Sequence, residues 1–264
     1  VSVPSWLGRL SSAKEAPPAR QLGYDEERAK QILGMVIRGL QRSFRRLRPR
    51  AHSTSTWSDY MATSNYQDGA FKAKEAFVKE ALARLAPQTV LDVGCNTGHF
   101  SQLAAATGAS VVALDYDPVV IGRLWRRSQA DGAPILPLVL NLARPSPGLG
   151  WRNTETSSFL ARAGNQFDVA LLLAVVHHLT VSDGLALREI FRLMAEIVTK
   201  GLIVEYIPPT DSMFQRIIRN KEHLLPKLQQ TDFESAFAVF FDQVSVEPVP
   251  GSDRVLYCLA KKRG

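Results

Sequence analysis

Two carboxylates and a glycine-bearing loop stand close together in the stretch "TVLDVGCNTGHFSQLAAATGASVVALDYDP", residues 89–118. Asp92 and Asp115 each belong to an apolar run, and Gly94 and Gly98 bound the loop between the two runs. In doubly wound α/β sheets, ligands bind beyond the carboxyl ends of the strands. A glycine loop that leads into a helix adds backbone donors at that place. The stretch therefore predicts a ligand site.

The loop departs from the dinucleotide fingerprint, which would need glycines at 94, 96 and 99 if Gly94 opened it. Asn96 and His99 occupy the last two positions. A carboxylate at Asp92 repels a pyrophosphate but suits a cationic amine. Asp115 can accept hydrogen bonds from ribose hydroxyls. A ligand with an ammonium group and a ribose but no phosphates points to S-adenosylmethionine (SAM).

The elements that must position these residues alternate between strand and helix after Pro87. Several strands are continuous apolar runs, such as "DVALLLAVV", which is typical of parallel strands buried on both faces. Strands are predicted at Thr89–Val93, Ser110–Asp115, Ile135–Asn141, Asp168–Val176, Gly201–Tyr206, Ala238–Glu247 and Arg254–Ala260. Helices are predicted near 70–85, 99–107, 118–131, 155–163, 182–199 and 211–228. The expected fold is a doubly wound, Rossmann-like α/β sheet of seven mostly parallel strands that ends in an antiparallel hairpin.

The net charge of +7 is concentrated at the N-terminus, where residues 1–50 carry 11 Lys/Arg and 4 Asp/Glu. The remaining residues balance, so the folded domain is not itself basic, which weakens a nucleic-acid-binding reading. Cys95 and Cys258 lie far apart and suggest neither a metal site nor a disulfide framework. No signal peptide or membrane span is expected, and a cytoplasmic location is predicted.

An N-terminal extension is predicted over residues 1–69, ahead of the main domain at 70–264. It contains a basic amphipathic helix at 25–48, which either packs on the main domain or contacts a membrane surface or RNA. A polar loop with Trp57, Tyr60 and Tyr66 follows. These aromatics either belong to a satellite core or cover a ligand, so the extension is expected to be a lid or a subunit interface.

From Ala70 to Lys262 the chain resembles the class I SAM-dependent methyltransferases. The resemblance is carried by "VLDVGCNTGHFS", "VVALDYDP" and "FDVALLLAVVHHL", and members often keep only the outer glycines of the loop. It implies SAM as cofactor and S-adenosylhomocysteine as product. It also implies that the cofactor contacts Asp92, Gly94, Cys95, Asn96, Gly98, Asp115, Tyr116, Asn141, Leu142 and Ala174.

Three further stretches resemble the NoeA-like nodulation-protein methyltransferases. They are "TWSDYMATSNYQD", "NLARPSPGLGWRNTETSSFLAR" and "HHL" followed by "LIVEYIPPTDSMFQ". This subgroup resemblance concerns family membership and implies no particular acceptor.

Candidate catalytic residues stand at the predicted ends of the fourth and fifth strands, where the acceptor should meet the methyl group. A hydroxyl acceptor needs a base, and a histidine suits that role. Strand alternation would send His177 and His178 to opposite sides, so one of them is expected to face the pocket, with His177 favoured. Glu205 is the second candidate, as base or orienter. No metal is expected.

Specificity is expected from the long loop after the third strand, which carries Trp151 and Arg152. The function predicted is O-methylation of a small-molecule or glycan-type acceptor. Two alternatives stay open: an RNA or protein methyltransferase that docks through the basic N-terminal helix, and a non-catalytic SAM-binding protein.

Overall fold

The computed structural model of the protein describes residues 26–46, 55, 68–219 and 228–263. The chain divides into two compact units, Val1–Ala51 and His52–Gly264. Trp57, Tyr60 and Tyr66 lie outside the described residues, so their predicted substrate role remains a prediction.

The first unit contains helix α1, Glu26–Arg46, close to the predicted 25–48. Glu26 and Glu27 occupy its first turn, where carboxylates suit the positive end of the helix dipole. No helix in the described residues is long and apolar enough to cross a membrane.

The second unit alternates helices and strands along the chain. Its helices are α2 (Asp68–Leu85), α3 (His99–Ala106), α4 (Pro118–Asp131), α5 (Phe159–Ala163), α6 (Val176–Val181), α7 (Leu187–Ile197), α8 (Ser212–Ile217) and α9 (Gln230–Phe237). Its strands are β1 (Thr89–Val93), β2 (Ser110–Asp115), β3 (Ile135–Val139), β4 (Phe167–Leu172), β5 (Val198–Tyr206), β6 (Phe241–Pro248) and β7 (Val255–Lys261).

The seven strands form one sheet in the order β3-β2-β1-β4-β5-β7-β6. β1 through β5 run parallel, with Val90 opposite Val111 of β2 and Val169 of β4. β7 is antiparallel to both β5 and β6. The predicted Rossmann-like sheet with an antiparallel C-terminal hairpin is confirmed. Strand order reverses between β1 and β4, where such sheets bind ligands.

Helices cover both faces of the sheet, and side-chain alternation divides the strands between two cores. On one face Leu91 and Leu172 pack in a cluster that includes the buried rings of α7 and α9. On the other face Val90 and Leu171 pack against α2, α3 and α4. The sheet is therefore a rigid, doubly covered base for the loops at its carboxyl edge.

The boundaries of several predicted elements were wrong. β4 ends at Leu172 and a separate helix, α6, follows, although the sequence continues as the apolar run predicted to be one strand to Val176. The predicted helix 155–163 is confined to α5, and helix 182–199 gives way to β5 at Val198. Helix α9, missed by the prediction, contributes Phe233 and Phe237 to the aromatic core. β6 accordingly begins at Phe241 and not at Ala238.

Candidate functional site

A cavity of about 390 Å³ opens at the carboxyl edge of the sheet, at the ends of β1, β2 and β4. This volume lies within the usual range for small-molecule sites. Ten of the predicted site residues line it: Asp92, Gly94, Cys95, Asn96, Asp115, Tyr116, Asn141, Leu142, Ala174 and His178. The structure therefore brings most of the predicted cofactor residues together with one of the two histidines.

The glycines of the loop allow a close approach of backbone and side chains. Gly94 has φ +71°, and a Cβ there would lie 3.0 Å from Cγ2 of Val175. Gly98 has φ +81°, and its Cβ would lie 2.3 Å from Cδ1 of the buried Leu124. Gly98 is not among the residues lining the cavity, so its observed part is to let the loop and the start of α3 pack on α4.

Asn96 adopts the left-handed conformation, with φ 51°. Asparagine tolerates this region better than other non-glycine residues. Its side-chain oxygen accepts a hydrogen bond from the Thr97 amide at 2.7 Å, which holds the turn. The Asn96 amide donates to Oδ2 of Asp115 at 3.0 Å, so the loop is tied to the end of β2. Asparagine at this position is compatible with the loop, as predicted.

Two carboxylates line the cavity: Asp92 is buried and Asp115 is partly buried. Burial raises the pKa of Asp92 to about 6, against the effect of a hydrogen bond from Ser101 Oγ at 2.5 Å. Burial also raises the pKa of Asp115, although backbone amides of Asn96 and Asp117 donate to it. Two carboxylates that are costly to ionise favour a ligand that supplies a cation and hydroxyl donors.

The remaining cofactor-side residues give the cavity a largely apolar wall. Tyr116 is exposed at its mouth, and Leu142 is buried in it. The side-chain oxygen of Asn141 accepts from the Ala143 amide at 2.8 Å and so shapes the loop after β3. Burial raises the pKa of the Cys95 thiol, which keeps it neutral. Ala174 has φ 55°, at the sharp turn between β4 and α6.

The two histidines lie on the first turn of α6 and not at the end of a strand. His178 lines the main cavity, whereas His177 lines a separate space of about 20 Å³ beside Phe214 and Glu205. The preference for His177 as the pocket-facing residue was therefore wrong. Strand alternation does not apply on a helix, where successive side chains are about 100° apart. Burial lowers the pKa of both imidazoles. Asp183 acts in the opposite direction on the pKa of His178. The pKa of His177 is lowered further by His178 and by the nearby cations Arg254 and Lys74.

Glu205 lies behind the cavity in a buried ionic network. Its Oε2 is 2.5 Å from Nζ of Lys74, and its Oε1 is 3.5 Å from Nη1 of Arg254. Arg254 also bonds Asp211, 2.8 Å from Nη2. Glu205 does not line the main cavity, and its role as base or orienter remains a prediction. Lys74 itself lines the cavity.

Trp151 and Arg152 lie on a short 3-10 turn, Trp151–Asn153, and do not line the main cavity. Trp151 is 77% exposed. Their substrate role remains a prediction. An acceptor could contact them only if it extended beyond the described cavity. No group of three or more His, Cys, Asp or Glu in the described residues is placed to hold a metal ion.

Sequence reasoning missed several residues that line the cavity. Ser182 and Asp183 directly follow α6, about one turn beyond His178. Phe71 and Phe100 add aromatic surface from α2 and α3. The helical spacing of His178 and Ser182, four residues apart, was a usable signal, but only after α6 was recognised as a helix.

The sequence profile described as "Methyltransferase domain" matches residues 66–240. Among curated proteins, the chain is 32% identical over 204 residues to nodulation protein NoeA from Rhizobium meliloti (strain 1021), covering 77% of this chain and 42% of NoeA. It is 36% identical over 89 residues to ubiquinone biosynthesis O-methyltransferase from Rhizobium rhizogenes (strain K84 / ATCC BAA-868), covering 34% of this chain and 30% of that enzyme. The chain thus spans less than half the length of these relatives.

Solved structures support the fold. N-methyltransferase NodS from Bradyrhizobium japonicum WM9 superposes with a TM-score of 0.54 at 14% identity, covering 75% of this chain and 99% of NodS. NodS in complex with S-adenosyl-L-homocysteine gives a TM-score of 0.54 at 13% identity, covering 79% of this chain and all of NodS.

Proposed function

The chain belongs to the family of methyltransferase domains. From this premise we propose that it is a SAM-dependent enzyme that methylates an oxygen of a small-molecule or glycan-type acceptor, with His178 as general base. The observation that carries the proposal is that His178 lines the same cavity as Asp92 and Asp115. A proton acceptor and a cofactor-compatible acidic pair therefore share one space.

The residues of the cavity fit SAM. Asp92 would attract the ammonium group of the methionine part, and Asp115 would accept the ribose hydroxyls. Gly94 leaves the wall open where a Cβ would meet Val175. Leu142 and Tyr116 provide apolar surface for the adenine. When bound, SAM supplies an electrophilic methyl group.

The part of the protein in the transfer step is to align the acceptor and remove its proton. Alignment supplies much of the rate of a displacement reaction. The lowered pKa of His178 keeps its imidazole neutral near pH 7, which is the form that accepts a proton. Asp183 lines the same cavity and would stabilise the imidazolium as it forms.

The assignment of an oxygen acceptor draws support from the name of the ubiquinone-pathway relative, an O-methyltransferase. NodS, which shares the fold, is an N-methyltransferase, so an amine acceptor is the principal competing outcome. An amine that is already neutral needs no base, and this difference separates the two acceptor classes experimentally.

Two measurements test the proposal. Calorimetry with SAM and with S-adenosylhomocysteine should show binding that Asp115→Ala abolishes. If neither compound gives a heat of binding, the protein does not use SAM. Methyl-labelled SAM incubated with panels of phenols, sugar alcohols and amines should then label a hydroxyl acceptor, with mass spectrometry locating the methyl group. Labelling of amines alone would overturn the oxygen assignment, and labelling of RNA or protein alone would overturn the small-molecule assignment.

A further inference from the structure

One face of helix α1 is apolar, and its side chains are exposed. At about 100° per residue, six exposed apolar side chains fall within an arc of about 140°, and the exposed Met35 lies about 60° outside it. Its members are Ile32, Leu33, Val36, Ile37, Leu40 and Phe44. Ile37 is the least exposed of them at 45%, and Phe44 the most at 67%. A continuous arc of this kind needs a partner that is itself apolar.

The rest of the helix is basic. Its carboxylates, Glu26 and Glu27, lie in the first turn, and Lys30 pairs with both. Every later charged residue of the helix is basic: Arg38, Arg42, Arg45 and Arg46 follow Lys30. Arg38 and Arg42 are exposed and project, by helical spacing, opposite the apolar arc. The partner must therefore present negative charge next to apolar material.

We propose that α1 is a binding surface for anionic phospholipid membranes. The apolar arc would enter the boundary between headgroups and acyl chains, and the arginines would meet lipid phosphates. This proposal concerns the first unit of the chain and does not depend on the identity of the acceptor.

Other occupants match the helix less well. A nucleic acid would satisfy the arginines but would leave Leu33, Leu40 and Phe44 against water. A second copy of the helix would cover the apolar arc. However, Arg38 and Arg42 project away from that arc, so a second copy packed on the arc would leave them facing solvent.

The test is vesicle flotation with the full chain, using phosphatidylcholine vesicles with and without phosphatidylglycerol. We expect binding to the anionic vesicles that is at least about tenfold tighter than to neutral ones and that weakens with salt. Leu33→Gln/Leu40→Gln and Arg38→Gln/Arg42→Gln should each lower the bound fraction by about tenfold, since each removes one of the two contributions. Leu149→Gln, at a comparably exposed apolar residue of the other unit, is the matched control and should bind like the parent protein. Circular dichroism and SAM affinity verify that each variant is folded.

Three outcomes would overturn the proposal. One is a parent protein that does not bind anionic vesicles. Another is a solution dimer by sedimentation velocity that Leu33→Gln/Leu40→Gln dissociates, which assigns the arc to a second copy. The third is salt-dependent RNA binding that Arg38→Gln/Arg42→Gln removes while vesicle binding is unchanged.

Discussion

Nζ of Lys74 lies 2.5 Å from Oε2 of Glu205, and both side chains are almost completely buried although 131 residues separate them in the chain. Arg254 approaches the other oxygen of the same carboxylate. One buried anion thus holds two cations, one of which, Lys74, also lines the cofactor cavity. The pair joins α2 to the end of β5 and fixes a positive charge beside the cofactor site.

Glu205→Gln is expected to destabilise the fold by about 3–5 kcal/mol, because it removes the anion that Lys74 and Arg254 share in a buried site, although Arg254 keeps its pair with Asp211. Urea denaturation measures the loss. Glu80→Gln is the matched control: Glu80 pairs with Arg84 at 2.9 Å on the exposed side of α2, where such pairs contribute about 0–1 kcal/mol. Equal midpoints for the two variants would show that the buried network contributes no more than a surface pair.

SAM affinity is expected to fall as the pH is lowered through the pKa of Asp92, about 6. Protonation removes the charge that would attract the ammonium group, and Asp115, whose pKa is also raised, adds to the effect. Calorimetric titrations across this range measure the dependence. Asp92→Asn should lower the affinity at neutral pH and flatten the curve. If the SAM affinity of Asp92→Asn changed with pH as steeply as that of the parent protein, a group other than Asp92 would cause the pH dependence.

The same shift predicts the opposite trend for the stability of the ligand-free protein. The folded-state pKa of Asp92, about 6, lies above its ordinary value of 3.8. The contribution of this carboxyl group to the free energy of unfolding is therefore fully present below pH 3.8 and is lost as the pH rises through about 6. Asp92→Asn should therefore become relatively more stable than the parent protein above this range. Melting temperatures of both proteins on either side of it provide the check.

The succession of strands along the chain and the acidic pair were predictable from the sequence, because apolar strand runs and a glycine loop are local signals. The end of β4 was not. Leu172 ends the strand, yet the residues of α6 are also buried, so no change in hydrophobicity marks the boundary. The turn at Ala174, with φ 55°, is not marked by a glycine or an asparagine, so no local pattern reveals it.

The wrong histidine preference follows from that boundary. On a helix, His178 faces the same side as Ser182, and both line the cavity, whereas His177 packs against Phe214. The Lys74–Glu205 pair was out of reach for a similar reason, since a contact between distant segments leaves no pattern in one sequence. Glu205 was identified as a residue of interest, but its buried ion pairs with Lys74 and Arg254 were not.

His178→Asn is expected to lower the rate of methyl transfer to a hydroxyl by about 10²–10⁴-fold while SAM affinity stays close to that of the parent protein. His177→Asn is the matched control, because His177 lies outside the cavity. The rate of the parent protein should fall on the acid side, below the ordinary imidazole pKa of 6.5, as His178 becomes protonated. Measurements of kcat/KM against pH test this. A variant that keeps the parent rate and pH profile would exclude His178 as the base.

Gly98→Ala is expected to destabilise the protein more than Gly132→Ala. Both glycines have positive φ, +81° and +62°, so both substitutions incur backbone strain of about 1–3 kcal/mol. Only at Gly98 would the new Cβ meet a side chain, 2.3 Å from Cδ1 of Leu124, which is fully buried and cannot swing into solvent. Overpacking should add about 1–3 kcal/mol there. Urea denaturation of both variants, and of Gly98→Ala combined with Leu124→Ala, isolates this contact: the double variant should lose less stability than the two single losses added together. Strict additivity would show that the loop and α4 do not pack as described.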